Sequence, residues 1–237
     1  MTPASSSERL NAMAHRLGDV GRYLEVGVAK GTTFFSVEAS EKHGVDPRFR
    51  FEPDSRRSQR NEHYHPISSD AFFDQSLGRK QSFDLIFLDG LHTFSQTLRD
   101  FLSSQAIAHS RTIWLIDDTV PSSAVAADPS LDRVQEARRL AGNPDNQTWM
   151  GDVFKVIAFI DNFCPQYTCL TTEGHGQTVV LPLPRIEENK RFPSVKDIDQ
   201  LDYVDLLLLQ DTLFRAKPFQ HILDLIDQLP KHKTVRQ

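Results

Sequence analysis

The sequence is poor in cysteine. Its 237 residues include only Cys164 and Cys169, which are separated by four residues. Two thiols at this spacing argue against a disulfide framework and against a structural zinc site. We therefore expect reduced thiols, as in a cytoplasmic protein.

Long apolar runs are also missing. A membrane-spanning helix needs roughly 18 or more consecutive apolar residues, and no stretch of the chain has them. The first ten residues, MTPASSSERL, have no apolar core of the kind that a secretory signal contains. These absences predict a cytoplasmic protein with no membrane partner.

An excess of basic charge is absent as well. The 27 Lys and Arg residues are outnumbered by 32 Asp and Glu residues, which gives a net charge of −5. A protein that binds nucleic acid constitutively needs an excess of Lys and Arg against the phosphates, so no nucleic-acid partner is expected. The basic cluster between Arg48 and Arg60 is local. It is either a solvated loop or the rim of a site for an anionic group.

What the sequence does contain is an alternation of β-rich and helical segments. We predict strands at 22–28, 43–47, 63–68, 82–89, 111–118 and 177–183, and helices at 31–43, 93–108 and 151–163. This order is typical of an α/β fold with a mostly parallel, doubly wound, Rossmann-like sheet and helices on both faces. We assign this domain to residues 1–184.

The character of the chain changes after Pro184. A polar segment is followed by LDYVDLLLLQDTLFRAKPFQHILDLIDQL at 201–229, which is helical in pattern and rich in leucine. We expect residues 185–237 to form a helical extension that packs on the first domain or contributes to a homodimer contact. The dimer, through the leucines at 206–209, is a hypothesis.

Several acidic and glycine residues fall where predicted strands end. In a parallel sheet, ligands bind beyond the carboxyl ends of the strands. The residues that this rule brings to one rim are Glu25, Gly27, Asp46, Asp89, Asp117 and Asp118.

The first strand runs into a glycine turn, YLEVGVAKGTTF. Glycines there permit positive φ and a close approach of the backbone to a ligand. The pattern ExGxxxG has Ala29 where a dinucleotide fingerprint requires glycine, which weakens a pyrophosphate-binding interpretation. Asp46, after the next strand, suits ribose hydroxyls. Asp70 suits an adenine amino group or, equally well, caps the following helix.

Three carboxylates converge near the later strand ends. Asp89, Asp117 and Asp118 would repel one another unless a cation joined them. Oxygen ligands favour Mg²⁺ or Mn²⁺ over zinc. His92, three residues after Asp89, is then suited to accept a proton from a metal-bound hydroxyl. The alternative is that some of these acids cap helices and that Asp89 and His92 belong to an ordinary turn.

These motifs resemble those of class I S-adenosylmethionine-dependent methyltransferases. YLEVGVAKGTTF, GVDP, FDLIFLDGLHTFSQTLRDF and LIDD are similar to segments of the small-molecule O-methyltransferases that act on catechols and, with a metal, on macrolide sugars. The resemblance covers roughly residues 20–184.

The resemblance implies a cofactor, a cation and a base. By it, Glu25, Gly27 and Gly31 line the methionine end of S-adenosylmethionine, Asp46 contacts the ribose, Ser69 and Asp70 border the adenine, Asp89 also faces the cofactor, and Asp89, Asp117 and Asp118 bind the metal. His92 stands where the catechol enzymes have a lysine base and the sugar enzymes a histidine. The implied acceptor is a small molecule with a hydroxyl, favouring vicinal diols.

The sequence departs from the catechol enzymes at two places. The helix before Asp46 is short, and Asp118 replaces an amide. The tract WMGDVFK at 149–155 either shapes the acceptor pocket through Asp152 and Lys155, or supplies a helix cap and a surface lysine.

Three interpretations of the function stay open. The protein is a metal-assisted O-methyltransferase, a metal-independent methyltransferase acting on nitrogen or a carboxylate, or a cofactor-binding module without catalysis. A dehydrogenase is disfavoured by Ala29.

Overall fold

The computed structural model describes residues 3–18, 20–53, 61–76, 78, 81–173, 176–185 and 190–230. Part of the predicted basic cluster, namely residues 54–60, lies outside the described residues. The helices are α1 Ser6–Leu17, α2 Thr32–Ser36, α3 Ser69–Ser76, α4 Phe94–Ser104, α5 Leu131–Leu140, α6 Phe154–Phe163, α7 Val195–Asp199, α8 Tyr203–Leu213 and α9 Phe219–Ile226. The strands are β1 Arg22–Val26, β2 Glu41–Val45, β3 Glu62–His65, β4 Leu85–Leu88, β5 Ile113–Ile116, β6 Thr168–Thr171 and β7 Thr178–Leu181.

The seven strands form one sheet in the order β3-β2-β1-β4-β5-β7-β6. The first five strands in this order are parallel, whereas β7 is antiparallel to both β5 and β6. The predicted mostly parallel α/β sheet is confirmed. The strand order reverses between β1 and β4, and such a switch point opens a crevice at the carboxyl ends of the strands.

Each central strand buries both of its faces. Along β4, Ile86 and Leu88 join the core on one side of the sheet, and Leu85 and Phe87 join the core on the other. Side chains alternate across a strand, so a continuous apolar run is what a strand covered by helices on both faces requires. The predicted helices on both faces are thereby confirmed.

The helix predicted at 31–43 is much shorter. α2 ends at Ser36, Val37 is extended, and the chain is already in β2 at Glu41. Residues 41–45 pair with both β1 and β3, and Nζ of Lys42 donates a hydrogen bond to the carbonyl of Phe34. Pairing on two sides outweighs the local helical preference of this segment.

Three elements were not predicted. α1 begins with a capping box, in which Ser5 and Glu8 bond each other's backbone, and α5 begins at the N-cap Ser130. Both signals were present in the sequence. β6 is only four residues long, and its pairing with β7 depends on contacts that the local sequence does not display.

The C-terminal helices contact the sheet domain. α8 packs against α6, and α9 packs against α1. Between them the chain runs beside β6, where the amide of Lys217 donates to the carbonyl of Thr171. Leu206 and Leu213 are buried, whereas Leu208 is 79% exposed. The division at residue 184 and the homodimer remain predictions.

Within the described residues, no helix combines the length and the apolar character needed to cross a membrane.

Candidate functional site

Three strand ends are aligned in the centre of the sheet. Val26 of β1 pairs with Leu88 of β4, and Leu88 pairs with Ile116 of β5. The next residues along the three strands are Gly27, Asp89 and Asp117. The sheet register therefore brings residues from distant parts of the sequence into one row.

Gly27 occupies the point where the turns after β1 and β4 cross. Its φ is +91°, and a Cβ atom there would lie 1.9 Å from the carbonyl oxygen of Asp89. The protein's own backbone therefore excludes a side chain at this position. Gly31 also has positive φ (+78°), and a Cβ there would meet the ring of Phe35 at 2.4 Å.

A cavity of about 1110 Å³ opens at these strand ends. Five of the residues expected to bind the cofactor line it, namely Gly27, Asp46, Ser69, Asp70 and Asp89, and so does His92. Glu25 and Gly31 are not among the described residues that line the cavity. Residues that sequence analysis did not single out include Gln96, Asp100 and Trp149.

Glu25 lies within the sheet beneath this cavity. It is 2% exposed and accepts a hydrogen bond of 2.5 Å from the hydroxyl of Tyr23. Burial, more than the neighbouring charge of Asp89, raises the pKa of Glu25 well above its ordinary value. A carboxyl that stays protonated can share this hydrogen bond without carrying a buried charge.

Asp46 anchors the glycine turn. Its Oδ2 accepts from the amide of Ala29 at 2.8 Å, and its Oδ1 accepts from the amide of Arg48 at 2.7 Å. Ala29 itself has a positive φ of 45°. The carboxylate thus stabilises an otherwise unfavourable turn conformation, and each of its oxygens retains a second lone pair toward the cavity.

Gln96 connects the polar residues at another part of the cavity wall. Its Nε2 lies 3.2 Å from Oγ of Ser69, 3.1 Å from Oδ1 of Asp70 and 3.0 Å from Oδ1 of Asp100. The side chain that caps α3 is Ser68, whose Oγ accepts from the amide of Ala71. Ser68, and not Asp70, therefore caps α3. Asp70 instead faces Gln96.

Asp89, His92 and Asp118 form a compact group at one end of the site. Nδ1 of His92 lies 2.8 Å from Oδ2 of Asp118, and Nε2 of His92 lies 3.5 Å from Oδ1 of Asp89. One ligand atom from each residue lies within 4.8 Å of the other two. Asp118 has a positive φ of 58°, a conformation that aspartate tolerates better than most residues.

The imidazole of His92 is strongly affected by the two acids. Burial alone would lower its pKa, but hydrogen bonds and charge from Asp118 and Asp89 overcome that effect and raise the pKa of His92 to about 11. Burial raises the pKa of Asp89. The imidazolium therefore offsets part of the negative charge of Asp89 and Asp118.

Asp117 faces a different environment from its neighbour. It is not part of the three-residue group found among the described residues. Burial, and then the charges of Asp89 and Asp118, raise the pKa of Asp117 to about 7, while a hydrogen bond to Gln177 lowers it. Gln177 accepts from the buried Arg9 of α1 at 3.1 Å. The structure thus brings Asp89 and Asp118 together with His92 and leaves Asp117 on the side of α1.

Trp149 covers the imidazole of His92. The two rings are stacked with centroids 5.0 Å apart, and the backbone carbonyl of Trp149 lies 2.8 Å from Nδ1 of His92. The chain can pass this close because residue 151 is glycine, where a Cβ atom would lie 1.6 Å from the carbonyl oxygen of His92. In the sequence, the glycine two residues after Trp149 is the feature that indicates such a close approach of the backbone.

A second cavity, of about 940 Å³, lies on the other side of this segment. Thr148 and Met150 line it, whereas Trp149 lines the first cavity. The remaining lining comes from residues 120, 122, 171–173, 176, 210–211 and 214–217. The tracts after β5 and around β7 meet here with the C-terminal extension.

Asp152 and Lys155 follow neither predicted alternative. Oδ1 of Asp152 accepts from the amide of Phe94 at 2.6 Å, so it caps α4 instead of its own helix. Lys155 is buried, pairs with Asp152 at 3.0 Å and donates to the carbonyl of Asp199. Both residues hold α4, α6 and α7 together.

Comparisons with known proteins agree with this geometry. Residues 24–119 match a family model described as a methyltransferase domain. A Klebsiella pneumoniae protein assigned as an O-methyltransferase is 17% identical, with a TM-score of 0.51 over 76% of this chain and 83% of its own. A Staphylococcus aureus protein assigned as a caffeoyl-CoA O-methyltransferase is 12% identical, with a TM-score of 0.50 over 76% of this chain and 84% of its own. No curated protein sequence matches the chain.

The family match spans β1 to the end of β5, which carries the glycine turn and the acids that follow β4 and β5. The two solved structures share the fold. Residues 24–119 therefore match a methyltransferase domain, and the chain has the fold of these two O-methyltransferases.

Proposed function

We propose that the protein transfers the methyl group of S-adenosylmethionine to a hydroxyl of a small molecule, a sugar or a phenolic diol, with the help of a divalent cation. The observation that carries the proposal is the group formed by Asp89, His92 and Asp118 at the end of the large cavity. It combines carboxylate oxygens for a hard cation with an imidazole for proton transfer.

The first cavity suits S-adenosylmethionine. Asp46 presents carboxylate oxygens for the ribose, and Ser69 and Asp70 lie beside Gln96 for the adenine. Gly27 and Asp89 would face the methionine end. When bound, the cofactor supplies a methyl group on a sulfonium, which is a good leaving group. The protein's task is then mainly to align and deprotonate the acceptor.

The donor set fits Mg²⁺ or Mn²⁺. Oxygen atoms of Asp89 and Asp118 lie close together on either side of His92, and we keep Asp117, the residue before Asp118, as a proposed third ligand. Such a cation lowers the pKa of a bound hydroxyl. The negative charges of Asp89 and Asp118 raise the pKa of His92. A cation between them would offset these charges and so let His92 lose its proton.

In this proposal His92 is the general base. If Nδ1–H donates to the carbonyl of Trp149, Nε2 is the nitrogen that receives the acceptor's proton. The side chain is 23% exposed, so it can be reached from the cavity. The stacked Trp149 fixes the plane of the ring.

The acceptor would occupy the second cavity and extend past Trp149 toward His92. Val120 of the cavity wall is two residues from Asp118, and Met150 is adjacent to Trp149. This arrangement gives the C-terminal extension a part in acceptor selection through residues 210–217.

A metal-independent methyltransferase acting on nitrogen or a carboxylate is the second candidate. The 2.8 Å ion pair between His92 and Asp118 favours it, because an imidazolium already offsets part of the charge of these acids. Formation of S-adenosylhomocysteine from a panel of catechols and sugar diols, with Mg²⁺ or with EDTA, separates the two. Turnover that EDTA abolishes supports the first candidate, and turnover that EDTA leaves unchanged supports the second.

Cofactor binding tests the common basis of both. Calorimetric titration of S-adenosylmethionine should give micromolar-range binding with Mg²⁺ and with EDTA. Absence of binding under both conditions would contradict the proposed function in either form.

A further inference from the structure

A second group of metal-binding atoms lies on the outer strands of the sheet. Glu41 and His43 are two residues apart on β2, and His63 on β3 is the direct partner of His43. Residues with these spacings point to the same face of a sheet. The group belongs to neither cavity described above, and it contains no residue assigned to methyl transfer.

The distances match a tetrahedral metal centre. Oε1 of Glu41 lies 3.0 Å from Nε2 of His43 and 3.4 Å from Nε2 of His63, and all three atoms lie within 4.8 Å of one another. Zinc bonds to nitrogen and oxygen of roughly 2.0–2.1 Å place tetrahedral ligand atoms about 3.3 Å apart. The two separations from Glu41 are therefore close to those of a tetrahedral centre.

Neighbouring groups orient two of these ligands. Nε of Arg22 donates to Oε2 of Glu41 at 2.7 Å, which leaves Oε1 directed at the histidines. Nδ1 of the buried His43 lies 3.1 Å from Nε2 of His65. Metal-bound histidines commonly donate their second ring N–H to such a partner, and ligating carboxylates are also hydrogen-bonded.

The hydrogen-bond pattern leaves a position for a cation. If Nδ1 of His43 carries the proton and donates to His65, Nε2 of His43 presents a lone pair to Oε1 of Glu41. In this tautomer the Nε2 amide of Gln81, 3.0 Å away, can donate to the lone pair, and a bound cation would take its place between His43 and Glu41.

We propose that Glu41, His43 and His63 bind Zn²⁺, with solvent or Gln81 in the fourth position. His63 is 43% exposed, so an ion can enter from solvent. The Gln81 atom that lies 3.0 Å from Nε2 of His43 is Nε2, so Gln81 would bind only after its amide turns to present Oε1. Two imidazoles select zinc over Mg²⁺. The scarcity of cysteine argued against structural zinc, but here the ligands are histidine and glutamate.

A zinc ion here would fasten the edge strand β3 to β2. Among the strands that the structure describes, β3 pairs with β2 alone, and it leads directly to Ser69 and Asp70 on the wall of the large cavity. The site is therefore structural, and its loss should lower thermal stability.

The test uses the untagged full-length protein freed of metal with a chelator and titrated with ZnCl₂ by calorimetry. The group at Asp89 and Asp118 could also take zinc, so the titrations are made in Asp118→Ala. We expect one equivalent of zinc in this background and at least tenfold weaker binding when His63→Ala is added. His221→Ala, at an exposed histidine of α9, is the matched control and should bind zinc normally.

Thermal unfolding supplies the second measurement. Zinc should raise the Tm of Asp118→Ala and of its His221→Ala derivative, and should raise it much less in the His63→Ala derivative. Glu41→Gln keeps the size of the side chain and should also weaken binding. Zinc binding that is absent in Asp118→Ala, or unchanged by both His63→Ala and Glu41→Gln, would overturn the proposal. Neither result depends on methyl transfer.

Discussion

Nδ1 of His92 lies 2.8 Å from Oδ2 of Asp118, a residue that follows a different strand of the sheet. This contact joins the turns after β4 and β5 and places an imidazole between two carboxylates. The same atoms serve an ion pair when no cation is present and, in the proposed function, a metal-assisted proton transfer.

Replacing His92 tests its role as the base. We expect His92→Gln to lower kcat by about 10²- to 10⁴-fold, the usual contribution of general-base catalysis. Binding of S-adenosylmethionine should change by less than about threefold, since the base acts on the acceptor. S-adenosylhomocysteine formation and calorimetry measure the two effects. His109→Gln, at a histidine that pairs with Asp84, is the control, and equal losses in both variants would contradict the assignment.

The environment of Asp117 predicts a dependence of stability on pH. Because the folded-state pKa of Asp117 is raised to about 7, the folded state binds this proton more tightly than the unfolded state does. Stability is therefore lost as pH rises from about 4 to about 7. Asp117→Asn should remove this loss, so it should stabilise the metal-free protein more at pH 8 than at pH 5, by about 3 kcal/mol.

Thermal or urea unfolding in EDTA at the two pH values measures this difference. Added Mg²⁺ should stabilise the wild type and should stabilise Asp117→Asn less. An equal effect of the substitution at both pH values would show that the carboxyl titrates normally.

Gly27 should be intolerant of any side chain. Alanine there would place Cβ 1.9 Å from the carbonyl oxygen of Asp89, which forces the turns after β1 and β4 apart. We expect Gly27→Ala to destabilise the protein by about 2–4 kcal/mol and to weaken cofactor binding. Gly142 also has positive φ (+71°), but a methyl group added there would meet no atom within 4 Å. Gly142→Ala should therefore cost only about 1 kcal/mol, as measured by urea unfolding.

Replacing Gln96 tests the proposed adenine side of the cavity. The two N–H groups of its Nε2 are shared among Ser69, Asp70 and Asp100, so Gln96→Leu removes these contacts and leaves the buried Asp100 less well satisfied. We expect cofactor binding to weaken by about tenfold with little change in kcat at saturating cofactor. Gln220→Leu on α9, which loses an exposed contact to Asp224, should bind the cofactor normally in calorimetry.

The second cavity can be blocked without touching the first. Thr148→Trp would place an indole among Val120, Met150 and Phe214, and should raise the acceptor KM by about tenfold or more at unchanged affinity for S-adenosylmethionine. Gln147→Trp inserts the same group at an exposed neighbouring residue and is the control. If the acceptor KM is the same in both variants, the acceptor does not use this cavity.

Much of the fold could be predicted because local pattern and final structure agree. The apolar runs ending at Leu88 and Ile116 are long enough to indicate buried strands, and the residues that follow them must then lie on one rim. α2 was predicted too long because pairing of β2 with two neighbours determines where the helix ends. β6 was not predicted because its four residues show no strong strand pattern.

The sequence by itself determined the alternation of strands and helices, the acids at the strand ends and the imidazole beside Asp89, because strand periodicity and turn chemistry are local properties. The tertiary structure alone decided which of these side chains meet. It turned Asp118 toward His92 and Asp117 toward α1, placed Trp149 over the imidazole, and aligned the histidines of β2 and β3. Adjacent residues at a strand end can point to opposite sides, and strand register is set by packing across the whole sheet.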